Sequence, residues 1–205
     1  MPPHSAGGTS TPTAPFSLDP ATVQLAMKGD RAAVAALLRA LRPPVFRYCL
    51  GRLGTWPDGS SDAEDCAQEV LLAVVNALPG YRYEAESFLP FVFGIAAHKV
   101  TDVHRHRARD RTSPFAEPPA GRWLGADPTG EEVERSAALG WSAGLLDTLP
   151  PRQREILVLR VILGLSAEET ASAVGLNSAG AVRVAQHRAL TTLRRSLTTE
   201  KRAAS

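Results

Sequence analysis

The chain has 205 residues, enough for one ordinary domain or two small ones, and its 44% hydrophobic content supplies packed cores. A formal net charge of +2 and a pI near 8.7 are only mildly basic, so any nucleic-acid footprint must come from local clusters of charge. Cys49 and Cys66 lie outside any Cys-x-x-Cys or Cys/His cluster, and no run reaches the roughly 18 apolar residues that span a bilayer; a zinc site and a membrane anchor are both excluded from the reading.

In chain order, residues 1–16 form a small, polar, proline-rich tail that reads as disordered, because it cannot bury enough surface to offset its ordering entropy. The opening MPPHSAGGTSTPTAP also lacks the charged-then-apolar order of a signal peptide, so a cytoplasmic location is expected. Asp19-Pro20 predicts a helix start, with Asp19 as cap and Pro20 at the first helical position, where its missing N–H is not needed. A second helix follows from Asp30, carrying Val34, Leu37, Leu38, Leu41, Val45, Tyr48 and Leu53 at helical spacing. Pro43-Pro44 should kink or interrupt it.

Ser61 and Glu64 have the spacing of a capping box, opening a helix that starts acidic and turns apolar through Val70, Val74 and Leu78. Another helix is predicted over 87–109, aromatic at its start with Phe88, Phe91 and Phe93. Its end is basic, with Lys99, Arg105, Arg107 and Arg109 interleaved with His98, His104 and His106. His104 and His106, at i and i+2 on a helix, cannot face one metal, and no metal or cofactor is expected. Residues 112–135 follow as a linker, dense in Pro and Gly up to about 131.

The stretch 149–197 carries the most specific pattern. Ser166 and Glu169 again have capping-box spacing, Gly175 is suited to end that helix, and Ser178 can cap the next. Val182, Ala185, Ala189 and Leu193 then form one buried stripe, while the other faces present Arg183, His187, Arg188, Arg194 and Arg195. A packing helix, a short polar turn at 175–177 and a basic helix make a helix-turn-helix, as in DNA readers that place the second helix in the major groove. The predicted fold is therefore all-α: two helical modules, 17–111 and 136–198, on either side of the linker.

This order of features resembles an extracytoplasmic-function sigma factor of the sigma-70 family, over about 18–197. SDAEDCAQEVLLAVVNALPGYRYE is similar to the family's core-polymerase-binding helix, and FLPFVFGIAAHKVTDVHRHRARDR to its promoter minus-ten segment. LPPRQREILVLRVILGLSAEETASAVGL followed by SAGAVRVAQHRAL resembles its minus-35 reader, and the wording VRVAQHRAL is similar to the actinobacterial sigma-D or ShbA-like group. The resemblance implies a non-catalytic subunit that binds RNA polymerase core, recognises promoter DNA and helps open the duplex. Asp62, Asp65, Gln68 and Glu69 would face the beta-prime clamp helices, the last module would sit on the beta flap, and an anti-sigma factor is a further expected partner.

Chemistry allots the side chains as follows. Ser178, Arg183, Gln186, His187 and Arg188 are the candidates for the minus-35 element, because an Arg fork holds guanine O6 and N7 together; Arg194 and Arg195 suit phosphate. Gln186 either reads adenine or satisfies a local hydrogen bond. For the minus-ten element, Phe88 and Phe91 offer faces for unpaired bases, His98 and Asp102 hydrogen-bonding edges, and Lys99, Arg105, Arg107 and Arg109 a basic track. The aromatics, Phe93 included, have core packing as their competing role, the arginines a solvated helix face, and the acidic turn at Asp62, Glu64 and Asp65 the helix dipole. A stand-alone helix-turn-helix regulator is the alternative function, but it leaves the amino-terminal module without a role. An enzyme acting on DNA would need clustered metal-binding carboxylates or an activated nucleophile, and neither pattern is present.

Overall fold

Asp19 begins the first helix as expected: its carboxylate accepts from the backbone N–H groups of Ala21 and Thr22 at 3.1 and 3.2 Å, and α1 runs Pro20–Met27. The computed structural model describes residues 18–54, 59–82, 88–110 and 145–203. The tail and the linker expected from the sequence lie outside them. Asp30 caps α2, Arg31–Leu53, by accepting from Ala33 N–H at 2.8 Å. Pro43 and Pro44 lie inside this helix, so of the two expected outcomes, a kink or an interruption, the interruption does not occur. Each proline removes a backbone donor, but Leu37, Leu41, Val45 and Tyr48 are fully buried on both sides of the pair, at about 1.5–3 kcal/mol per large apolar side chain, and that burial holds the helix together.

Helix α3, Gly59–Ala77, starts three residues before Asp62, the first helical residue expected after a Ser61 cap. Ser61 therefore lies inside the helix, not at its cap, and Glu64 pairs with Arg42 of α2 at 3.3 Å, so the anticipated capping box does not form. After a 3₁₀ turn at Leu78–Gly80, α4 runs Phe88–Asp110. Val70 and Val74 of α3 meet Val92, Phe93, Ala96 and Val100 of α4 and the buried stripe of α2 in one core. Cys49 and Cys66 are buried in this core, and the neighbouring Cys66 thiol together with burial pushes the Cys49 thiol far above its ordinary pKa.

In the second module α5, Pro151–Leu157, whose proline start needs no N–H donor, widens into a π-helical turn at Val158–Ile162. Helix α6, Ala167–Val174, has the expected capping box, with Glu169 N–H donating to Ser166 Oγ at 3.0 Å and Ser166 N–H to Glu169 Oε2 at 2.7 Å. Gly175 closes it in the left-handed conformation (φ 65°, ψ 41°), and Ser178 Oγ accepts from Ala181 N–H at 3.2 Å to start α7, Ala179–Ala203. Val182 and Ala189 are fully buried on the inner face of α7, with Ala185 and Leu193 packed beside them.

The modules also touch each other, which local sequence signals did not foreshadow. Helix α2 packs on α5 and the π-helical turn, and α4 packs on α6. Gly51 permits the close approach, since a Cβ there would lie 2.9 Å from Val158 Cγ2. Beside it, Tyr48 Oη donates to Glu155 Oε1 at 2.8 Å, and Arg52 Nη1 donates to the Pro151 carbonyl at 2.8 Å. All three side chains are buried, and burial with the neighbouring carboxylate pushes the Tyr48 pKa well up. The described residues contain helices and turns and no strand, so the fold is all-α.

Candidate nucleic-acid interface

Helix α7 presents its polar side chains in two strips. Arg183, Gln186, His187, Leu190 and Arg194 line one shallow groove, as their spacing of three, four and seven residues requires. Arg188 and Arg195, both exposed, stand about 120–140° further round the axis, with exposed Val184 between the strips. Arg183 pairs with Glu168 of α6 at 3.0 Å, and both side chains are mostly solvent-exposed. Gln186 is half-buried, its Oε1 accepting from Arg160 Nε at 3.1 Å. Of the two roles open to Gln186 in the sequence, the local hydrogen bond is present. The Ser178 oxygen serves as a helix cap, which leaves its hydroxyl hydrogen available to an anion.

On α4, His98, Asp102, Arg105 and Arg109 fall on one exposed face. Arg105 Nη1 and Asp102 Oδ1 are 3.3 Å apart on that face, and Lys99 reaches back to Glu69 of α3 at 3.1 Å. Arg107 turns inward. Its Nη1 donates to the Leu53 carbonyl at the end of α2 at 3.1 Å, its Nε donates to Asp62 Oδ2 at 2.8 Å, and Nη2 shares the same oxygen. It ties three helices together, satisfying a carbonyl that helix termination leaves without an internal partner. His104, on the exposed side of α4, stands near Arg52, Arg107 and Arg154; desolvation by the packed chain around it and these cations hold its pKa below the ordinary value.

The aromatic candidates divide. Phe88 and Phe93 are 3% and 1% exposed and belong to the core, so neither has a face available to a base. Phe91 is half-buried and stacks against Tyr81 at 4.5 Å between ring centroids. On α3, Asp65, Gln68 and Glu69 share one exposed face, and Asp62 is turned toward Arg107. Leu72 extends the same face and is 63% exposed, a large apolar residue in water beside three polar ones. Sequence reasoning missed Leu72, although its position four and three residues beyond Gln68 and Glu69 could have revealed it. It also missed Val184 and Arg160, the latter because its partner is 26 residues away.

Two protein-family models match: Sigma-70 region 2 over residues 37–110 and Sigma-70 region 4 over residues 143–193. The ECF RNA polymerase sigma factor SigD of Mycobacterium tuberculosis is 51% identical over 175 residues, covering 85% of this chain and 81% of that protein. ShbA of Streptomyces griseus, also an ECF RNA polymerase sigma factor, is 46% identical over 178 residues, covering 85% and 92%. Two solved structures share the fold. CnrH, in complex with the cytosolic domain of CnrY, superposes with a TM-score of 0.64 at 22% identity, covering 88% of this chain and 97% of that one. RpoE of Bartonella quintana, in complex with the anti-sigma factor NepR, gives 0.59 at 19% identity, covering 80% and 96%. With both regions matched in order and relatives this similar over most of its length, the chain belongs to the extracytoplasmic-function sigma factors of the sigma-70 family.

Proposed function

We propose that this sigma factor divides its work among three exposed helix faces. The α3 face of Asp65, Gln68, Glu69 and Leu72 docks on the beta-prime clamp helices of RNA polymerase core, with Leu72 as its apolar anchor. The α4 face of His98, Asp102, Arg105 and Arg109, with Lys99 at its edge, follows the minus-ten strand, and half-buried Phe91, seven residues before His98 on the same helix, is its aromatic. Phe88 and Arg107 support that face from within. Helix α7 enters the minus-35 major groove while its module rests on the beta flap. Arg183 is the guanine reader: its exposed pair with Glu168, worth about 0–1 kcal/mol, exchanges readily for a base edge. Arg188, Arg194 and Arg195 hold phosphate, aided by the Ser178 hydroxyl, and His187 lies between the base and phosphate contacts. An anti-sigma factor is a further partner, by analogy with the RpoE–NepR complex, in a relative of the same fold.

The observation that carries this reading is the α3 face, where an exposed leucine continues an acidic strip on the helix that precedes a basic one. A regulator that acts alone on DNA has no use for such a surface. The test is equilibrium binding to sigma-free core polymerase. Asp65→Ala combined with Leu72→Ala should weaken binding by about tenfold or more, the scale of an interface hot spot, with an unchanged melting midpoint. Full affinity in a folded double variant overturns the assignment.

A further inference from the structure

We infer that Arg160 is a positioning residue that fixes which kind of base edge Gln186 can read. The inference rests on the assignment of α7 to the minus-35 groove. Arg160 lies in the π-helical turn Val158–Ile162, half-buried, behind the recognition helix. Its Nε donates to Gln186 Oε1 at 3.1 Å, and its Nη1 donates to the carbonyl of Leu165, the residue before the Ser166 cap of α6. One guanidinium thus links the turn before α6 to the middle of α7.

The chemistry of the two groups settles the orientation of the amide. A guanidinium has donors only, so the glutamine must offer it the carbonyl oxygen; the opposite orientation would set an NH₂ against an N–H. The bond from Arg160 turns Oε1 toward the guanidinium and occupies one of its two lone pairs, so the Nε2 donor pair is the end of the amide with no partner among the described residues, beside Arg183, His187 and Arg194 in the groove. An untethered glutamine reads adenine through both ends of its amide, accepting from N6 and donating to N7. A tethered one is chiefly a donor, and donors match acceptor edges: guanine O6 and N7, or thymine O4. The base pair beneath Gln186 is therefore read as guanine or thymine in preference to adenine, and Arg160 imposes that preference without touching DNA.

The experiment uses the full chain bound to core polymerase and a promoter library randomised across the minus-35 element, with transcripts sequenced. Arg160→Met should shift preference at one base pair toward adenine by about fivefold, within the discrimination expected of one amide–base contact. The shift should vanish when Gln186→Ala is already present. Gln186→Glu keeps an oxygen on Arg160 and replaces the outward donor with an acceptor, so it should move the preference toward cytosine even if Arg160→Met folds poorly. A uniform loss at every position with Arg160→Met would make Arg160 a phosphate contact or a packing residue and overturn the inference. A shift that persists beside Gln186→Ala, or an unchanged preference in Gln186→Glu, overturns it as well. Arg183→Ala separates the two levels: if it too leaves every minus-35 preference unchanged, the assignment of α7 fails, whereas a clear Arg183 effect beside a silent Arg160→Met refutes only the positioning role.

Discussion

Replacing Glu155 with alanine should be among the most damaging single changes in the region where the two modules meet. Glu155 is 7% exposed and accepts a 2.8 Å hydrogen bond from Tyr48 Oη, while Arg52 Nη2 lies 4.0 Å from its other oxygen. The hydrogen bond from tyrosine to a carboxylate contributes about 1.5–3 kcal/mol. Removing the acceptor leaves a buried hydroxyl without a partner and a buried guanidinium without its counter-charge, a situation that costs about 3–5 kcal/mol when a buried pair is broken from one side. Because Arg52 keeps its bond to the Pro151 carbonyl and stands 4.0 Å from the carboxylate, the lower end applies, about 3 kcal/mol. Glu155→Gln keeps an oxygen for Tyr48 and should lose less, and Tyr48→Phe, which deletes that hydrogen bond, should lose about 1.5–3 kcal/mol. Urea denaturation followed by circular dichroism gives all three values. If Glu155→Ala stays within about 0.5 kcal/mol of the unmodified protein, as surface substitutions do, the buried network has no energetic role.

Three further outcomes follow from the same geometry. Gly51→Leu drives a side chain into the 2.9 Å space against Val158 while raising the helix propensity of α2, so the modules should separate with helix content retained; an unchanged hydrodynamic radius contradicts this. Ser166→Ala removes the acceptor for Glu169 N–H and should cost about 1 kcal/mol in thermal or chemical unfolding, against no change if the cap is idle. His104, whose folded pKa is depressed, binds its proton more weakly folded than unfolded; its contribution to stability is present above about 6.5 and is lost as pH falls through the folded value. The melting midpoint of the unmodified protein should therefore drop more between pH 7 and pH 5 than that of His104→Gln, and equal drops would remove His104 from the explanation.

The readable parts of the fold are those written in a few neighbouring residues. Asp19, Asp30, Ser166 with Glu169, Gly175 and Ser178 each stop or start a helix where the sequence places them, since a cap acts within three or four residues. Pro43-Pro44 left open whether α2 continues, and it does because a local penalty is outweighed by burial contributed from other helices. Ser61 misled because the residues before it extend the helix. The ion pairs of Asp62 with Arg107 and Lys99 with Glu69 join positions 45 and 30 residues apart, and Tyr48 meets Glu155 across 107. No periodicity carries such pairings, so acidic and basic residues that the sequence assigns to different partners meet each other in the folded chain. The same distance hid Arg160 behind Gln186, while the arginines on the exposed side of α7 were legible from its buried stripe and Val184 was not.

Reconstituted transcription is the most direct test of how these faces work together: the purified chain, sigma-free bacterial core polymerase and a library of promoter fragments, with transcript starts sequenced. Specific initiation from fragments sharing a minus-35 and a minus-ten element is expected, abolished by Arg183→Ala with Arg188→Ala and unaffected in core binding by that pair. Initiation that stays the same with both arginines removed, or a chain that binds duplex DNA and never core polymerase, would contradict the division of labour among α3, α4 and α7.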